Sequence, residues 1–214
     1  IELIAGRMFA LEQAPDYEPD VMQSFLVRAK QRGCTALEAL YDHFAAGDGS
    51  KLVYFPIFNY NGGNLDTVRQ MLEHPRALLG LSDAGAHVGQ LCDAPLATDL
   101  LGNWVREKGV LTLEHAIHKL TQQQADIFGF TDRGVVRDGA IADLVVFDPA
   151  TVAPGPLRRV RDFPAGAERL TADQPTGMRH LLVNGTPVVV DGVGVDATRS
   201  IRRPARCWRC RCAG

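Results

Sequence analysis

At 214 residues and 46% hydrophobic, the chain is long enough for one large domain or parts of two. No apolar run approaches the ~20 residues that span a bilayer, so a soluble protein without a membrane partner is expected. The formal charge of -2 conceals a basic end, Arg-rich and acid-free over residues 199–214, and nothing before it has the basic patch of a nucleic-acid binder. Five cysteines, an odd number, argue against a disulfide framework, and Cys34 and Cys92 read as free thiols of a cytoplasmic enzyme. The chain opens at Ile1, with neither an initiator Met nor a basic-then-apolar leader, and reads as a piece of a longer polypeptide.

In chain order, residues 1–18 read as an irregular lead-in broken by Gly6 and Pro15. From Pro19, Val21, Met22, Phe25, Leu26 and Ala29 recur at helical spacing up to Gly33. Thr35 and Glu38 have the spacing of a reciprocal N-terminal cap, followed by a stripe of Leu37, Leu40, Tyr41 and Phe44 expected to be buried. Residues 51–59 suit a strand, with Pro56 demanding an edge, a bulge or an end. Asn64 caps a helix whose apolar face is Leu65, Val68 and Leu72, and Pro75 forbids its continuation. An apolar run at 78–82 completes a β-α-β unit, a connection that is parallel and right-handed in nearly all cases.

Further helices are expected from about Thr98 to Lys108 and from Thr112 to Gly129. Beyond Gly129 the period becomes strand-like: Ala142–Phe147 is β-rich, and Asn184-Gly185 marks a tight hairpin within 180–190, with Pro187 favouring an edge strand. Residues 149–179, rich in Pro and Gly, read as a long surface excursion.

The most informative stretch is 78–87, LLGLSDAGAH. An apolar run that ends abruptly in Ser82-Asp83 is what a buried strand delivering a carboxylate to a barrel mouth looks like, although Asp-Ala-Gly also suits an ordinary turn or cap. Around it, Gly63-Asn64-Leu65 before a helix, His74-Pro75 after it, Gly80-Leu81-Ser82-Asp83-Ala84-Gly85-Ala86-His87, and Asp93-Ala94-Pro95 resemble the metal-dependent amidohydrolases, most closely the N-acyl-D-amino-acid deacylase (D-aminoacylase) branch. The Leu113-Glu114-x-Ala116 helix with Thr121, and Asp132-Arg133-Gly134 followed by Gly139 and Ala142-Asp143-Leu144-Val145-Val146, extend the resemblance over about residues 60–192.

That resemblance implies an α/β fold: 1–130 as the last strands and helices of a (β/α)8 barrel with a helical hairpin insertion, and 131–198 as part of a small β-sandwich. Residues 199–214 read as a disordered basic tail. The implied reaction is zinc-dependent hydrolysis of a carbon–nitrogen bond in a small N-acyl amino acid or related amide. The metal lowers the pKa of its water to about 7, and a carboxylate moves the proton. Asp83 takes the proton-transfer role, with direct metal contact also open; the other zinc ligands belong elsewhere, because no His-x-His pair occurs.

His87, four residues on, is either a substrate contact in the same cleft or a loop histidine satisfied by backbone, and Ser82 either holds the strand end or faces substrate. His74 suits a helix end, His43 and His180 suit surface or packing positions, and His115 with His118 lack a third ligand. Cys207, Cys210 and Cys212 are too few and too closely spaced for a zinc knuckle. Two rival readings remain: a cyclic-amide or carbamoyl hydrolase on the same barrel, and a barrel scaffold without catalysis.

Overall fold

The computed structural model describes residues 1–60, 62–84, 87–90 and 94–195. Cys92, Asp93 and the basic tail with Cys207, Cys210 and Cys212 lie outside the described residues. The fold is mixed α/β, with two apolar cores among the described residues.

The first core forms where the chain meets its helical hairpin. Residues 1–18 are more regular than their breakers suggest: they hold a short helix, α1 (Glu2–Ala5), and a strand, β1 (Phe9–Leu11). The expected first helix is split. Val21–Gln23 makes one 3₁₀ turn, and α2 (Phe25–Arg32) starts afresh because the buried Ser24 caps it, its Oγ accepting from Val27 N–H at 3.4 Å. Gly33, at φ 68°, closes α2 in the left-handed region.

The expected cap of α3 (Ala36–Ala45) forms: Thr35 Oγ1 accepts from Glu38 N–H at 3.2 Å while the Glu38 carboxylate accepts from Thr35 N–H at 2.8 Å. Its buried side is not the one expected, however. Ala36, Ala39 and Leu40 pack with Ala5, Phe25 and Ala29, whereas Leu37 and Tyr41 are 60% and 70% exposed and Phe44 also faces outward. Small alanines permit the close approach to α1 and α2, which rotates the larger side chains away.

β2 (Leu52–Tyr54) is a fragment of the strand expected at 51–59 and stops before Pro56. It pairs antiparallel with β1, Phe9 opposite Tyr54, so the expected parallel β-α-β unit does not form. Residues 78–82 carry no strand either: Leu81 is 93% exposed, and only Leu79 of this run packs against a core. A strand needs neighbours for its backbone groups, and among the described residues none lies beside this one.

The second core is built by helices. Glu18 and Asn64 together start α4 (Asp66–Glu73), accepting from Leu65 and Asp66 N–H at 2.8 and 3.1 Å, and Leu65, Val68 and Leu72 pack inward as expected. α5 (Leu96–Asp99) runs into a π-helical stretch, Leu100–Glu107, closed by Lys108 N–H bonding the Asn103 carbonyl at 2.8 Å. Its Leu100, Leu101 and Trp104 meet Leu111, Ala116 and Val152. Gly102 lets helix and chain approach: a Cβ there would sit 2.6 Å from the Val152 carbonyl oxygen.

The helix expected over 112–129 is two, α6 (Leu113–Leu120) and α7 (Gln122–Phe128), broken at Thr121 (φ -126°, ψ -87°), whose hydroxyl bonds the Ile117 carbonyl at 2.7 Å.

Beyond Gly129, β3 (Leu144–Phe147), β6 (Met178–Val183), β7 (Thr186–Val190) and β8 (Val193–Gly194) form an antiparallel sheet in the order β3-β6-β7-β8. Asn184 (φ 49°) and Gly185 (φ 76°) make the expected tight turn. Pro187 is on an interior strand, not an edge; a register shift between Leu181 and Leu182, and the shortness of β8, which reaches only Val189 and Val190, spare its missing N–H. The stretch 149–179 is more than a surface excursion: it carries the ribbon β4 (Leu157–Val160) with β5 (Arg169–Ala172) and buries Val152, Leu157 and Leu170.

Candidate functional site

Asp83 ends the irregular run after α4 as an exposed carboxylate. Beside it the half-buried Ser82 accepts from Ala84 N–H at 3.2 Å, so the serine braces the bend where the chain turns.

His87 is also exposed and lies at φ 47°, a left-handed backbone that a histidine seldom adopts; its carbonyl accepts from Gln90 N–H at 2.7 Å, closing a turn. The next residue ties this turn to the ribbon, the Val88 carbonyl accepting from Leu170 N–H at 2.7 Å. Among the described residues no hydrogen bond joins Asp83 and His87.

The run leading to Asp83 is held from beneath by α6 and α7. Lys119, 1% exposed, donates from Nζ to the Ala77 carbonyl at 2.8 Å and to that of His74 at 3.5 Å, and Gln124 Nε2 donates to the Leu79 carbonyl at 2.9 Å. Burial pulls the Lys119 ammonium below the ordinary lysine pKa. Neither residue stood out in the sequence; a lysine on the apolar side of the α6 pattern, between Ala116 and Leu120, is the one signal that marks it.

Three of the remaining histidines have structural partners. His74 ends α4, its Nδ1 accepting from Arg76 N–H at 3.1 Å. His43 bonds the Leu52 carbonyl at 2.9 Å and packs on Phe25, and His180 accepts from Asp191 N–H at 3.4 Å. His115 and His118 ride α6. Among the described residues no three of His, Cys, Asp or Glu converge as a metal site. Asp83 therefore offers one carboxylate to a metal, and the described residues do not by themselves fit a zinc ion.

A cleft of about 620 Å³, which the sequence did not announce, lies apart from Asp83, lined by Tyr17, Glu18, Asp99, Asn103, Lys108 and Pro154 among others. Glu18 pairs with Lys108 across it, and the ammonium sits 4.8 Å from the Trp104 ring centre. Burial raises the Glu18 pKa, but Lys108 and the Leu65 amide outweigh it and leave the carboxyl below its ordinary value. Asp99 moves the other way, burial holding it up against Asn103 and Lys108.

Known proteins resemble this chain over much of its length. The amidohydrolase family profile matches residues 55–189, more than half of the chain. N-acyl-D-glutamate deacylase of Alcaligenes xylosoxydans xylosoxydans is 34% identical over 174 residues, covering 78% of this chain and 30% of that enzyme. D-aminoacylase of the same organism is 39% identical over 93 residues, 42% of this chain and 16% of that one. A solved D-aminoacylase, described by its binuclear metal centre with one-metal activation and second-metal attenuation, superposes with a TM-score of 0.50 and 25% identity over 91% of this chain and 37% of its own. The chain spans about a third of the length of the N-acyl-D-glutamate deacylase and of the solved D-aminoacylase. It belongs to the amidohydrolase family.

Proposed function

We propose that this chain forms part of a zinc-dependent N-acyl-D-amino-acid deacylase, in which Asp83 moves the proton during hydrolysis of the amide. The observation that carries the reading is an exposed carboxylate at the end of an apolar run, inside the stretch that matches the amidohydrolase family. In the intact enzyme residues 1–130 complete a (β/α)8 barrel with 78–82 as its final strand, which puts Asp83 at the carboxyl end where such barrels place their chemistry. Residues 131–198 contribute to a β-sandwich.

Hydrolysis needs a nucleophilic water, a polarised carbonyl and a proton for the leaving amine. Zinc would supply the polarisation, on ligands drawn mostly from outside this chain. Asp83 accepts the proton of the attacking water and returns it to the amine nitrogen as the carbon–nitrogen bond breaks, acting first as base and then as acid. His87, four residues on, contacts the substrate, a small N-acyl amino acid.

Turnover of N-acetyl-D-amino acids, their L-enantiomers and cyclic amides by the zinc-loaded enzyme containing this chain tests the reading. Selective release of free D-amino acid is expected; hydrolysis of the cyclic amides alone would move the protein to another branch of the family, and turnover of none would leave a scaffold.

A further inference from the structure

We propose that Lys119 and Gln124 are positioning residues that fix the approach of Asp83 by holding the carbonyls of Ala77 and Leu79; the inference rests on the deacylase reading above. Its geometric basis is a contrast within one run of chain. Residues 77–83 take no part in a strand or helix, and Leu81 projects outward, yet at 77 and 79 the backbone is bonded to side chains of α6 and α7 at 2.8 and 2.9 Å.

Asp83 lies four residues beyond Leu79, a reach of roughly 13 Å in extended chain. A small angular error at the held end is therefore magnified at the carboxylate, and proton transfer tolerates little misplacement.

The choice of residue argues against simple packing. Lys119 is buried beside Ala116 and Leu120, where a methionine of similar length would fill the space without the cost of desolvating an ammonium. Its ammonium is aimed instead at the Ala77 and His74 carbonyls, one at each end of the turn that leads out of α4 and closes through Ala77 N–H to His74 O at 3.1 Å. Gln124 works from the next helix: the break at Thr121 starts α7 anew, and the amide of Gln124 meets both the Leu79 carbonyl and, at 3.3 Å, the Lys119 carbonyl. The two donors thus grip two alternate carbonyls of the run and are themselves linked.

The test is a double-mutant cycle in the zinc-loaded enzyme containing this chain, with Lys119→Met and Asp83→Ala singly and together, read by kcat, KM and zinc content. Lys119→Met is expected to lower kcat about tenfold or more with KM within about twofold and zinc retained, and to lower the residual turnover of Asp83→Ala by less than about twofold. A residue acting only on general stability would cut both backgrounds by the same factor. That result, or a kcat for Lys119→Met within twofold of wild type, overturns the inference while Asp83 keeps its role. If Asp83→Ala alone leaves turnover intact, Asp83 is not the proton-transfer group, and the inference falls with that assignment. Should Lys119→Met not fold, Gln124→Leu, at a half-buried position, enters the same cycle with the same expectations.

Discussion

The helices from α5 to α7 and the run at 77–90 have similar apolar content, yet only the first closes on itself. Leu100, Leu101, Trp104 and Ala116 reach one another within a single stretch of chain, and each helix brings its own hydrogen bonds and caps, Thr112 for α6 and Gly129 for α7. The run at 77–83 brings an apolar pattern and a carboxylate but, among the described residues, no neighbouring strand; side chains of α6 and α7 hold its backbone at Ala77 and Leu79, and Leu81 stays outside. Helices are legible and stable locally; a strand is a statement about its neighbours.

The sharpest way to break the self-sufficient half is Trp104→Ala. Trp104 sits among Leu100, Leu101 and Val152, and its loss should cost about 3–5 kcal/mol in a denaturant melt. Leu81→Ala sharpens the other half. In the chain alone the exposed leucine should matter by less than about 0.5 kcal/mol, whereas in a complete barrel, with 78–82 as an interior strand, the same change should cost about 2–5 kcal/mol. Equal costs in the two contexts would contradict the barrel assignment.

A smaller effect is expected from Thr112→Ala, which removes the side chain that accepts from His115 N–H at 3.2 Å; about 1 kcal/mol should be lost from the melt.

The smallest is a pH slope. Lys119 has a folded pKa below the ordinary 10.5, so between the two values the unfolded chain binds more protons than the folded one. Stability contributed by this group therefore rises with pH through that window and is constant below it. Melts of wild type and Lys119→Met over alkaline pH should converge upward for the wild type; parallel profiles would mean that Lys119 is not desolvated.

What the sequence made legible follows the same division. The reciprocal cap at Thr35 and Glu38, the Asn184-Gly185 turn and the apolar face of α4 were readable because each is decided within a few residues. The buried side of α3 was misjudged because large side chains such as Tyr41 suggested the core and small ones made it. Pro187 lies on an interior strand because the register shift beside its partner Leu182 and the shortness of β8 relieve it, facts no local pattern carries. At the candidate site, the expectation for Asp83 came from the end of an apolar run, while the bonds from Lys119 and Gln124 were not legible because their partners are carbonyls 42 and 45 residues away in sequence.

The central claim is that Asp83 moves the proton in amide hydrolysis. Its most direct test is kcat for an N-acetyl-D-amino acid with Asp83→Ala, measured beside the zinc content of the same preparation. Proton transfer by Asp83 predicts that zinc stays bound while kcat falls by a factor of about 10²–10⁴. Full turnover with zinc retained would contradict it and put the proton-transfer group elsewhere in the protein.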